Sequence, residues 1–194
     1  MRRAAVTLLL AASAGQAQSG PFAEIPGVTI LYYDVAGTDL PTIRAAMRKL
    51  RPTDPADQQR VDALTRTALH WSWPVRDGAC RLQDATVTFS ATVTLPRLAD
   101  AAVPETVRLD WARYLAVLEA HELTHLRNGY NGRLELLAAI KAATCDTADA
   151  VAKAALAAIQ QRDIALDRAT DHGARDPATG AETPAAPATA ARPH

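Results

Sequence analysis

The chain has 194 residues, room for one domain with a sizeable core. It is 48% hydrophobic and 22% charged, which is ordinary for a globular protein and excludes a fibrous or wholly disordered chain. Its formal net charge of +0 removes the electrostatic case for nucleic acid or an anionic membrane surface as partner.

Residues 1–17 read as a leader rather than as part of the fold. Arg2 and Arg3 form a basic start, Ala4 to Ala14 an apolar run centred on Leu8, Leu9 and Leu10, and Gly15-Gln16-Ala17 a small-residue cleavage site. The run is too short for a stable bilayer anchor, and no later stretch is long enough to cross a membrane. A periplasmic or secreted protein is expected. In an oxidising compartment, the only two cysteines, Cys80 and Cys145, are most simply one disulfide. A metal-ligating cysteine is the alternative.

The mature domain is expected over 18–173. Val28 to Val35 is β-branched and aromatic, a strand pattern. After a turn at Gly37-Thr38-Asp39, Leu40, Ile43, Met47 and Leu50 have helical spacing. Residues 52–59 form a polar loop. Leu69, Trp71, Trp73 and Val75 alternate as in a strand, ended by an Asp77-Gly78 turn. From Ala85 to Leu95 the alternation is strict, with threonines and Ser90 on one face, as in an antiparallel strand with one wet face. A helix is predicted from about Pro104 to about Asn128, stopped by Asn128-Gly129 and Asn131-Gly132. Leu134 to Ala143 is again helical. Asp146 can cap a last helix to about Asp167, with Val151, Ala155, Ile159 and Leu166 on one side. Residues 174–194 are rich in Pro and Ala without periodicity and read as a disordered tail.

The centre of this pattern is His121-Glu122-Leu123-Thr124-His125, an H-E-x-x-H motif. Two imidazoles four residues apart on a helix are separated by ~6 Å along the axis and share one face, so both can reach one tetrahedral Zn²⁺. Val107, Trp111, Tyr114 and Leu118 recur at intervals of four, three and four, and the series continues onto His121 and His125. The histidines thus occupy the buried stripe, where a shared metal would offset the cost of burying polar rings. Glu122 is positioned as general base toward a metal-activated water.

A catalytic zinc site usually has three protein ligands. The pattern H-E-x-x-H-x-x-G-x-x-H is not met, because Asn128 and Asn131 stand where its Gly and third His would be. Glu135 qualifies only if the chain turns back at Gly129 or Gly132, since on an unbroken helix it lies ~15 Å beyond His125. His70 is a weaker candidate on a strand. His172 follows the last helix in a polar segment ending in Gly173, where the chain can bend back.

The sequence resembles a bacterial domain-of-unknown-function family described as predicted secreted zinc-dependent proteases. The matching pieces are the leader, Tyr33-Asp34-Val35 with Gly37 and Leu40, Trp71-Ser72-Trp73 before Cys80, Leu95-Pro96, Trp111, the H-E-x-x-H, Cys145, and Asp167-x-x-Thr170-x-His172-Gly173. They span nearly the whole mature domain. The resemblance implies a zincin-like protease, and its closing piece favours His172 over Glu135 as third ligand. The resulting expectation is an α+β, zincin-like domain: a small, mostly antiparallel sheet packed on a long helix carrying the motif. Its expected activity is zinc-dependent hydrolysis of amide bonds in a peptide or protein of the cell envelope. A non-catalytic periplasmic module with a structural or vestigial zinc is the alternative.

Overall fold

The structure, a computed structural model, describes residues 20–99 and 102–174. The expected leader and all but the first residue of the expected tail lie outside these residues. Strand β1 is Val28–Val35 and helix α1 is Leu40–Leu50. Helix α1 starts as its sequence dictates. The Asp39 carboxylate accepts from the Thr42 amide at 2.8 Å, closing a capping box, and Pro41 fits the first turn.

Strand β2 is Leu64–Ser72, longer at its start than the alternation from Leu69 suggested. Strands β3 (Val75–Arg76) and β4 (Ala79–Cys80) form a two-residue hairpin at Asp77-Gly78. Both turn residues have positive φ, 53° and 74°, which a tight hairpin requires and which Gly adopts freely. Strand β5, Thr86–Leu98, is central in a sheet of order β1-β5-β2. It pairs antiparallel with β2 and parallel with β1. The sheet is therefore mixed rather than mostly antiparallel. The segment from β1 through α1 to β2 is a long connection, which lets β1 run alongside β5 in the same direction.

Helix α2 runs unbroken from Glu105 to Ala142, and α3 from Ala148 to Thr170. The expected stop at Asn128-Gly129 is absent. A Cβ at Gly129 would lie 2.9 Å from Thr67 Cγ2, and one at Gly132 would lie 2.6 Å from Ile159 Cδ1. Both glycines let β2 and α3 approach α2 closely; packing overrides their poor helix propensity. The N-cap of α3 is Thr147, not Asp146, and its buried face carries Ala148, Ala152 and Ile159 rather than Val151 or Leu166.

The two helices are antiparallel. His121 meets Asp167, His125 meets Asp163, and Gly132 meets Ile159. Their joined end is tied by the Cys80–Cys145 disulfide, with Cα atoms 5.8 Å apart, and packs Leu69, Leu82, Leu136, Ile140 and Ile159. Toward its other end α2 packs Leu118 and Leu126 against Val93 and Leu95 of β5. Among the described residues no helix is long and apolar enough to cross a membrane.

Candidate metal centre

The motif lies in the middle of α2. His121, Glu122 and His125 are buried, with Glu122 only 2% exposed. The inward stripe is as expected from spacing, with Trp111 and Leu118 buried on the same side. The two imidazoles meet edge to face, with Nε2 atoms 3.0 Å apart. A third atom joins them. Asp167 Oδ1, from the last turn of α3, is 3.1 Å from His121 Nε2 and 3.0 Å from His125 Nε2. Donor atoms bound at 2.0–2.1 Å to one tetrahedral zinc are ~3.3 Å apart, so this triangle is close to that of three ligands.

The chemistry of the donors decides whether they fit a cation. His125 Nδ1 is 3.0 Å from Asp163 Oδ1, which can only accept. Nδ1 therefore carries a proton. In the neutral ring Nε2 then presents a lone pair, 3.0 Å from the Asp167 oxygen, which is also an acceptor. Two lone pairs facing one another in a buried site repel unless a cation or an extra proton lies between them. A proton meets that need as a cation would. Burial lowers the His125 pKa, but the bonds to Asp163 and Asp167 outweigh it and hold it up to about 10. Asp167 is likewise held well below the ordinary carboxylate range. Burial opposes this, and the hydrogen bonds and charge of His121 and His125 outweigh it. The set of two imidazole nitrogens and one carboxylate oxygen suits zinc.

Behind the three donors stand the outer carboxylate and amide partners that metal-binding histidines usually have. Asp163 Oδ1 also accepts from Asn128 Nδ2 at 2.6 Å. Asn128 Oδ1 accepts from Arg162 Nε at 2.9 Å, and Arg162 bonds both carboxylate oxygens of Glu135 at 3.0 Å. Asn128, read from sequence as a helix stop, instead fixes the carboxylate that orients His125. Glu122 lies beside the triangle. Among the described residues its buried Oε2 has no hydrogen-bond partner, and burial pushes its pKa up, against the Thr65 side chain and the two imidazoles. An unpartnered buried carboxylate oxygen is costly unless something else uses it.

The other candidates are placed as follows. Glu135 is not brought to the site; with α2 unbroken it stays on Arg162, half exposed. His70 is on the exposed side of β2. His172 does return to the site region. Asp171 and His172 both adopt left-handed conformations (φ 50° and 51°), followed by Gly173 at 81°. The His172 amide bonds the Asp167 carbonyl, which turns the chain back over the end of α3. Gly173 then lies against the His121 ring, where a Cβ would come within 2.9 Å. The His172 ring, however, bonds Asp57 Oδ2 through Nε2 at 3.0 Å, and its Nδ1 is 3.6 Å from Asp167 Oδ1. It is a neighbour of the triangle. The closest third donor is Asp167, and Asp163 and Asp167 repeat on α3 the four-residue spacing of the histidines on α2. That repeat was the available signal for both.

The sequence model of a family described as bacterial protein of unknown function (DUF922) matches residues 30–173. The chain belongs to this family. The DUF922 span runs from β1 to Gly173 and so includes every residue of the centre. No curated protein matches the chain, and no solved structure does.

Proposed function

We propose that this DUF922 protein is a zinc-dependent peptidase of the cell envelope, with a zincin-like arrangement of sheet and motif helix. The observation that carries this reading is the convergence of His121 Nε2, His125 Nε2 and Asp167 Oδ1 within 3.0–3.1 Å, beside a buried glutamate with a free oxygen. His121, His125 and Asp167 would hold the ion. Bound there, zinc supplies Lewis acidity, acidifying water and polarising a carbonyl. Glu122, kept proton-hungry by burial, takes a proton from the attacking water and returns it to the departing amine. Asp163 holds the His125 ring in its plane, and Asn128 holds Asp163.

Two features support a peptide as substrate. A cavity of about 520 Å³ adjoins the donors, which favours a site that admits substrate over a closed structural one. Ala63 to Thr67 all border it, five residues in a row. Side chains alternate along a strand, so such a run presents the backbone edge. The opposite edge of β2 is taken by β5. An extended peptide can add to the edge that faces the cavity. The leader and the disulfide support export to the periplasm or beyond.

The test is Glu122→Gln, assayed on a peptide library and envelope extracts. The variant should keep its zinc and its melting temperature while cleavage falls by about 10²–10⁴-fold. Equal cleavage of a verified substrate by the variant and the unaltered protein would refute the mechanism.

A further inference from the structure

A second group of donors lies on the far side of Asp167. Asp54, from the loop before β2, has a side chain only 9% exposed. Its Oδ1 accepts from the Ala56 amide at 2.8 Å, which fixes the carboxylate. Its Oδ2 faces His172 Nδ1 at 3.8 Å, beyond hydrogen-bonding distance. His172 Nδ1 also faces Asp167 Oδ1, at 3.6 Å. The three donor atoms lie within 4.8 Å of one another.

The tautomer of His172 is set from outside this group. Asp57 Oδ2, 3.0 Å from Nε2, can only accept, so Nε2 carries the proton and Nδ1 of the neutral ring presents a lone pair inward. This is the outer carboxylate that metal-ligating histidines usually have. The lone pair faces two carboxylate oxygens, which are acceptors themselves. The separations of 3.6 and 3.8 Å are too long for a shared proton to form good hydrogen bonds. They are within reach of one ion, because donors at 2.0–2.2 Å from a common cation can be up to ~4.3 Å apart. Two consecutive left-handed residues, Asp171 and His172, end α3 and turn the His172 ring back toward Asp167.

We propose that Asp54, His172 and Asp167 hold a second divalent transition-metal ion, with the Asp167 carboxylate shared between it and the His121–His125 ion. The proposal rests on the preceding reading only in taking Asp167 as a ligand of the first ion. One nitrogen and two carboxylate oxygens suit zinc or manganese, with remaining positions open to water or substrate. Paired ions about 3.5–4 Å apart are a recurrent device of hydrolases.

The experiment is a Zn²⁺ titration of the chelator-stripped mature protein by calorimetry, with bound metal counted by atomic emission. The unaltered protein should saturate at two ions per chain. Asp54→Asn should saturate at one, with unchanged affinity for the ion that remains. Asp57→Asn, which changes no ligand, should weaken the second ion about 10–100-fold and leave the first alone. If Asp54→Asn does not fold, His172→Gln replaces it with the same expected count. Saturation of the unaltered protein at one ion overturns the second site and leaves the first standing. Saturation at none overturns both. Two ions retained in Asp54→Asn and in His172→Gln also overturns it.

Discussion

The two ends of the α2–α3 pair are built on opposite principles. At the joined end, Leu136, Ile140, Ala148 and Ile159 are exposed by 2% or less, and a disulfide closes the structure. At the open end, the same two helices bury His121, Glu122 and His125 against Asp163 and Asp167, and Glu122 Oε2 has no hydrogen-bond partner among the described residues. One end is complete in itself. The other sets acceptor atoms facing one another, a pattern that either a shared proton or a cation completes. A small domain can hold such an electrostatically unfinished site when the far end of the same helices supplies the stability. Changes at the joined end should therefore move stability and leave metal alone, and changes at the open end should do the reverse.

The largest effect expected at the joined end follows loss of the disulfide. The bond spans 65 residues, and restoring that freedom to the unfolded chain costs about 4 kcal/mol in the chain-entropy picture. The double change Cys80→Ser with Cys145→Ser should lower the melting temperature by roughly 10 °C, taking about 2–4 °C per kcal/mol for a domain of this size. Zinc bound per folded chain should not change. Zinc lost in step with the disulfide would show that the two ends are not separable.

Gly132→Ala should have a smaller effect at the crossing of the helices. Removing a mid-helix glycine favours the helix by about 1 kcal/mol. Against that, the new Cβ would lie 2.6 and 2.8 Å from two carbons of Ile159, which is buried and, being β-branched in a helix, has one preferred rotamer. Overpacking of this kind costs typically 1–3 kcal/mol. A net loss of about 1 kcal/mol is expected in denaturant unfolding, partly recovered by Ile159→Val in the same chain. A variant more stable than the unaltered protein would mean that Ile159 moves aside freely.

These residues also show what the sequence could convey. Val28–Val35, Leu40–Leu50 and the alternating half of β5 were legible because each signal is local: a β-branched and aromatic run, apolar spacing of three to four, and strict alternation. His121, Glu122 and His125 were legible for the same reason, since four residues on a helix fix their geometry. Gly129 and Gly132 misled because a glycine that ends a helix and one that admits a neighbour look alike until the neighbour, Thr67 or Ile159, is known. The parallel pairing of β1 with β5 has no local signature. Asp167, Asp163 and Asp54 have no local signature as neighbours of the motif, because aspartate is common on surfaces and only the packing of α3 and of the loop before β2 brings these ones together. His172, expected as a third ligand, lies beside the triangle with its ring held by Asp57, which is 115 residues away in the chain.

The smallest expected effect separates the third-ligand candidates. Glu135 bonds Arg162 with both oxygens, but the two side chains are 57% and 46% exposed, and ion pairs of that kind contribute about 0.2–1 kcal/mol. Its link to the centre is indirect, through Arg162, Asn128 and Asp163. Ten residues along an unbroken helix place it ~15 Å from His125. Glu135→Ala should therefore leave zinc stoichiometry unchanged and lower stability by no more than ~1 kcal/mol. Any loss of zinc affinity should stay within a few fold, because Asn128 still reaches Asp163 through Nδ2 without Arg162. Asp167→Asn, by contrast, keeps the shape and removes the charge facing both imidazoles, and it should lose the tightly bound zinc. Metal analysis of both variants after the same dialysis reads the comparison directly. Zinc retained in Asp167→Asn and lost in Glu135→Ala would reverse the assignment, and would require α2 to break at Gly129 or Gly132 after all.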